Sequence, residues 1–219
     1  MRARPRIHPR EQGASSHRTK DLTSLSRHGN LRTLAPLPEN PPLSDPLPRE
    51  CERVVLRRLR PTDLSAFQAY RHDPRVGLYQ GWEPQSDEDA SRFIAEMSHV
   101  ALFVPGEWTQ LAIADRQTDT LIGDIGIHVA ADEARAEIGF TLSAAAQGVG
   151  LGTEAVQAAM ALIFEQTHVS EVIAVTDTRN LPAARLLERV GMRHRETVAA
   201  VFRGEPCFEH VYGIARTDG

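Results

Sequence analysis

The chain has 219 residues, of which 41% are hydrophobic, 25% charged and 5% aromatic, with a formal net charge of -4. That profile fits one globular domain with an extension and excludes a fibre or a wholly disordered chain. No run of about 18 uninterrupted apolar residues occurs, the stretch from Ala155 to Phe164 being broken by Gln157, so no membrane partner is expected and a cytoplasmic location is.

Residues 1–50 carry nine basic and five acidic side chains and eight of the 14 prolines, and they show no sustained period. They are expected to be a disordered Pro/Arg-rich extension, with residues 51–219 as the folded domain. Arg2, Arg4, Arg6 and Arg10 resemble the start of an organellar transit peptide, whereas 24 Arg against one Lys suits a GC-rich bacterial genome. The remaining body holds 16 basic and 24 acidic residues, which disfavours nucleic acid and favours a cationic partner. Cys51 and Cys207 lack metal-ligand spacing and read as structural thiols.

Ordered patterning begins near Glu52. Arg53 to Arg60 alternates and stops at Pro61, a strand; Thr62 precedes a helix through Phe67 and Tyr70 as its N-cap; Ser86 with Asp89 opens another. Trp108 to Ala114, Leu121 to Val129 and Ala136 to Ser143 form an antiparallel meander. A helix from Thr153 to Gln166 follows, then a strand over Glu171 to Thr176 and a short helix from Pro182 to Val190 ended by Gly191. Two closing strands, Glu196 to Arg203 and Phe208 to Ala215, flank a Gly204-Glu205-Pro206 turn. The order predicts an α+β fold, a central sheet with helices against it.

Chemistry concentrates at Gln147-Gly148-Val149-Gly150-Leu151-Gly152-Thr153. Glycines that let backbone approach a ligand, just before a helix N-terminus, make a phosphate cradle. A Walker A loop is excluded, because no Lys follows Lys20. A dinucleotide fingerprint fits poorly, since the third glycine falls one place early and Ala144 to Gln147 separate the loop from its strand.

The loop matches Q/R-x-x-G-x-G/A at every specified position, and with Arg57-Arg58-Leu59-Arg60-Pro61, Glu137-Ile138-Gly139-Phe140, Asn180-Leu181-Pro182-Ala183 and Glu188-Arg189-Val190-Gly191-Met192 the chain resembles the GNAT acetyltransferases, specifically the branch of ribosomal-protein N-terminal acetyltransferases. The resemblance runs from about Val54 to Ile214. It implies a mainly antiparallel sheet of about seven strands, splayed between the strand at Glu137 and the one at Glu171 to hold acetyl-CoA.

Carried onto this sequence, it implies that backbone groups near Phe140 and Leu142 bond the pantetheine arm. Gln147 to Thr153 would hold the pyrophosphate, and Asn180 and Arg185 would assist. Many members carry a tyrosine seven residues after that asparagine, where it protonates the departing thiolate; here the place is Leu187, which leaves water, backbone N–H groups or Ser143. Glu137 is the candidate base, and Tyr79, Trp82 and Glu83 shape the acceptor pocket. The expected activity is transfer of acetyl to a primary amine, either a protein N-terminus or a small cation such as a polyamine or an aminoglycoside-like molecule. A non-catalytic acyl-CoA-binding module is the reading from another class. His72, His99, His128 and His194 show no metal spacing, so no metal is expected, and a homodimer is left open.

Overall fold

The computed structural model describes residues 45–217, so the expected N-terminal extension lies, up to residue 44, outside the described residues. Ordered structure starts ahead of the boundary at 50. Leu47 is buried in the main core, and β1 (Arg49–Glu50) pairs with β2 (Val54–Arg58).

Pro61 then ends the extended run with a 3-10 turn, Pro61–Asp63, leading into α1 (Leu64–Arg71). Thr62 sits inside that turn and does not cap the helix. Asp63 accepts the Arg60 N–H instead and forms a buried ion pair with Arg57 at 2.8 Å. A four-residue helix absent from the sequence pattern, α2 (Pro74–Gly77), is capped by Asp73. α3 (Asp87–Met97) starts where expected, the Ser86 hydroxyl accepting the Asp89 N–H at 3.1 Å.

The meander forms as β3 (Trp108–Asp115), β4 (Leu121–Val129) and β5 (Arg135–Leu142), and α4 (Leu151–Gln166) then crosses over to β6 (Glu171–Asp177). α5 (Leu181–Arg189) and the hairpin of β7 (Arg193–Phe202) and β8 (Glu205–Ala215) complete the chain. The hairpin turn is Arg203-Gly204, both at positive φ, the signature of a tight two-residue turn. Glu205 and Pro206, expected in the turn, lie in the strand opposite Phe202 and Val201.

The eight strands, against about seven expected, make one sheet in the order β1-β2-β3-β4-β5-β6-β8-β7. Each neighbouring pair is antiparallel except β5 and β6. Strand alternation divides the faces. Ile125, Ile127, Ile138, Phe140 and Leu142 enter the larger core with Ala155, Ala159 and Ile163 of α4 and Leu186 and Leu187 of α5. A smaller core on the other face joins Phe67 and Tyr70 of α1, Ile94 of α3 and Ala112 of β3.

Candidate active site

The parallel pair is short. β5 and β6 are in register only at Arg135 with Glu171, Ala136 with Val172 and Glu137 with Ile173, yet β5 runs on to Leu142 and β6 to Asp177. Beyond Glu137 the strands part, and the sheet opens into a wedge. Its β5 edge is already engaged. The carbonyls of Phe140 and Leu142, expected to stand free, accept from the side-chain amides of Gln80 at 3.3 Å and Gln147 at 2.9 Å. The Phe140 and Leu142 side chains point into the core, so these residues can face the wedge only through backbone. A ligand that reaches their carbonyls must displace a glutamine or share the oxygen's second lone pair with it.

At the end of β5, Ser143 is half-buried and opens a 3-10 turn, Ala144–Ala146, that delivers Gln147 to the loop. Gly148 and Gly150 both adopt left-handed backbone, φ +82° and +89°, which glycine accepts without strain. Gly150 is also the N-cap of α4, so the helix's unpaired N–H groups and positive dipole end open here. A cavity of about 390 Å³ is lined by Ala146, Gln147, Gly148, Gly150, Gly152 and Thr153 on this side and by Pro182, Arg185 and Arg189 of α5 on the other.

The Thr153 hydroxyl oxygen is buried with no hydrogen-bond partner among the described residues. A buried hydroxyl without a partner is costly, and a phosphate oxygen in the cavity would supply one. A second cavity, about 340 Å³, adjoins through Gly150, Thr153 and Arg189 and is lined by Arg53 and Glu154 as well. Three arginines, Arg53, Arg185 and Arg189, thus surround the loop.

The structure brings Gln147, Gly148, Gly150, Gly152 and Thr153 to one cavity together with Arg185. Val149 points to solvent, and Leu151 packs against the core. Asn180 is buried and caps α5, its side-chain oxygen accepting the Ala183 N–H at 3.4 Å. Arg53 and Arg189 escaped the sequence reading. The signal for Arg189 was its spacing, one helical turn beyond Arg185 on an exposed face; Arg53 comes from a distant strand and gave no local signal.

On the opposite face Glu137, half-buried, stands at the apex of the wedge, the last residue paired to β6. It is the cross-strand neighbour of His128, whose ring stacks on Trp108 at 5.1 Å. The next row, Gly139 opposite Gly126, raises no side chain from the sheet, and the side chains of Gln110 and Trp108 lean over Gly126.

One row further, the buried Asp124 carboxylate accepts from the Tyr70 hydroxyl, the Gln110 amide and, at 2.9 Å, Arg71. Burial and the adjacent Asp124 push the Tyr70 phenol well above its usual range. Burial works against the Arg71 cation, but Asp124 more than restores it. The Arg71 guanidinium lies 4.5 Å from the Phe67 ring and 4.4 Å from Trp82, which fixes Trp82 against α1.

Tyr79 and Glu83 follow the same segment outward. The Tyr79 hydroxyl donates to the Arg179 carbonyl at 3.5 Å, and Glu83 meets Arg203 at 3.3 Å. Leu187 is fully buried in the main core, so that position offers neither a hydroxyl nor access to the wedge. His194 and His210, distant in sequence, share a ring-nitrogen contact of 3.1 Å across the β7–β8 hairpin. Among the described residues no group of three or more His, Cys, Asp or Glu is placed to hold a metal ion.

A family model described as an acetyltransferase (GNAT) domain matches residues 53–193. The N-acetyltransferase p20 of Bacillus licheniformis, itself uncharacterized, is 29% identical over 143 residues, which are 65% of this chain and 80% of p20. A GNAT-family acetyltransferase from Bacillus anthracis superposes with a TM-score of 0.68 at 23% identity, covering 76% of this chain and 96% of that one. The ribosomal L7/L12 α-N-protein acetyltransferase RimL, solved with coenzyme A, superposes with a TM-score of 0.64 at 14% identity, over 75% and 95% of the two chains.

Proposed function

This chain belongs to the GNAT acetyltransferase family, and from that premise we propose that it acetylates a protein N-terminal α-amine with acetyl-CoA bound along the wedge. The observation that carries the reading is the coincidence of two sites on one gap. The strands part at Glu137, and the same opening leads past Gln147 to the phosphate cradle. The glycine cradle, the surrounding arginines and the Thr153 hydroxyl without a partner all fit a pyrophosphate. When bound, acetyl-CoA supplies an acyl group on a thiolate that leaves readily.

Gln147 to Thr153 hold the pyrophosphate, with Arg185 opposite. Asn180 keeps the start of α5 in place at the far side of the wedge. Glu137 takes the proton of the attacking amine through a water as the C–N bond forms and the C–S bond breaks, and Ser143 or water returns a proton to sulfur. A single carboxylate at the apex suffices for an α-amine of pKa about 7.7–8.0, about a tenth or more of which is already neutral at pH 7, but is a weak device for a lysine amine near 10.4, almost all of it protonated. A RimL neighbour, named for an α-N-protein activity, supports the same choice. Tyr79, Trp82 and Glu83 frame the entering chain. Free thiols at Cys51 and Cys207 agree with a cytoplasmic setting.

The test is CoA release on peptides with a free α-amine, on the same peptides Nα-blocked but carrying lysine, and on polyamines and aminoglycosides. The free α-amine series should react fastest. Faster polyamine turnover would move the assignment to a small-molecule enzyme, the reading favoured by the acidic body, and silence with every amine would leave an acyl-CoA-binding module.

A further inference from the structure

We infer that Arg53 is a positioning residue for the phosphate loop, locking the Val149–Gly150 peptide so that the Gly150 N–H faces the larger cavity. The inference rests on reading that cavity as the acetyl-CoA phosphate site. The peptide in question lies between two left-handed glycines, Gly148 and Gly150. Turning that peptide over changes ψ of Val149 and φ of Gly150, and a glycine takes either sign of φ readily, so the plane has no intrinsic lock. Arg53 holds it, its Nη1 donating to the Val149 carbonyl at 2.9 Å.

In a trans peptide the C=O and the following N–H point in opposite directions. Fixing the carbonyl toward Arg53 therefore turns the Gly150 N–H away from Arg53. Arg53 lines only the smaller cavity, whereas Gly148, Gly152 and Arg185 line only the larger, and Gly150 borders both. Away from Arg53 is thus toward the cradle.

Arg53 is itself anchored. Glu154, in the first turn of α4, accepts Arg53 Nε on Oε2 at 3.0 Å, and on Oε1 accepts the backbone N–H groups of Arg53 at 2.6 Å and Val54 at 3.2 Å. The start of β2, the helix and the loop are knitted through one guanidinium. A lysine offers a point charge and cannot span the carboxylate and the carbonyl in the same way.

Positioning and plain charge attraction make opposite forecasts for Glu154→Gln. Removing the acid leaves Arg53 as a free cation, which tightens phosphate binding if charge is what counts. It also puts an amide N–H against either Arg53 Nε or the Arg53 and Val54 N–H groups, which loosens the brace and weakens binding if position counts.

Calorimetric titration of acetyl-CoA into the full chain decides between them. Arg53→Ala should weaken binding about tenfold, the loss persisting at high salt where exposed charges are screened. Glu154→Gln should weaken it too, and 3′-dephospho-acetyl-CoA should lose the same factor as the full cofactor. Arg53→Lys, which keeps charge and stem and so guards against loss of fold, should stay weak. Wild-type affinity in Arg53→Ala, tightening in Glu154→Gln, or a loss that disappears with the dephospho cofactor overturns the inference. A wild-type protein that binds no acetyl-CoA overturns the functional reading beneath it instead.

Discussion

The two ends of the wedge are built from different materials. The end proposed for the phosphates is mostly backbone and almost contiguous: the loop follows β5 after one 3-10 turn, α4 grows out of it, and the facing arginines come from α5. The end proposed for the acceptor is built mainly of side chains. Tyr70 and Arg71 of α1, Trp82, Gln110 of β3 and Asp124 of β4 converge there from separate parts of the chain. A backbone cradle tolerates sequence change wherever glycine and helix start persist, whereas a side-chain mosaic changes its ligand with each substitution. In the function proposed above, the cofactor is thereby fixed by the architecture, and the acceptor by particular residues.

The largest expected break falls at the apex, where the ends meet. Glu137→Gln should lower kcat/KM by about 10² to 10⁴, the usual range for a general base, while calorimetry finds acetyl-CoA affinity unchanged. Acceptors of lower amine pKa should lose less, and raising the pH should return part of the rate. Full activity across pH 6 to 9 would remove Glu137 as the base.

Next comes the mosaic itself. Asp124→Ala strands the Arg71 cation, whose side chain is 10% exposed, and should destabilise the fold by roughly 3–5 kcal/mol in urea titration, as breaking a buried pair does. A shift under 1 kcal/mol would mean that Arg71 finds another partner. At the other end Gly150→Glu forces a left-handed φ on a side chain and drives its Cβ to 3.2 Å from the Arg53 guanidinium, which breaks the contact that holds the loop and sets a negative charge beside the helix start. Acetyl-CoA should bind about a hundredfold more weakly or worse, with the far-ultraviolet dichroism intact.

Two smaller effects sharpen the contrast. Trp82→Leu should raise KM for the acceptor about three- to tenfold, within the worth of an aromatic contact, and leave acetyl-CoA affinity alone; an equal loss for both substrates would erase the division. The last concerns pH. Burial would raise the Glu154 carboxyl, but the bonds from Arg53 and Val54 hold it below its ordinary value. Its folded pKa is depressed, so its contribution to stability is complete above the ordinary glutamate range and is lost as pH falls through the lowered value. Wild type should therefore lose stability in acid more steeply than Glu154→Gln, and parallel curves would show that the brace is not titrating.

How much of this was legible in the sequence follows the same division. Gln147 to Thr153, Ser86 at the start of α3 and Gly191 at the end of α5 are local signals, each a few residues with one physical meaning, and each appears in place. β1 is only two residues long and α2 only four, too short to show a period. The hairpin turn was misplaced because Gly204 and Pro206 both mark turns, and the positive φ of Arg203, which sterics disfavour for a residue with a Cβ, decided between them. Arg53 at the loop, Gln80 on the Phe140 carbonyl and Arg71 under Trp82 depend on contacts between distant segments. A pattern read along one strand or helix does not contain them.

The order of the last two strands carries a consequence for how the enzyme is made. β8 lies between β6 and β7, so the strand latest in the described chain enters beside one made well before it, and β7 reaches the sheet only through β8. Synthesis delivers the chain from its N-terminus. A nascent protein stopped at Gly204 would already contain the whole phosphate loop. Its β6 would still rest on three residue pairs with β5 and expose an unpaired edge, the kind that invites pairing with other chains. The far wall of the wedge gains its second neighbour only when residues 205–215 slot in between β6 and β7, so the sheet that frames the opening is completed by the part of the described chain made last.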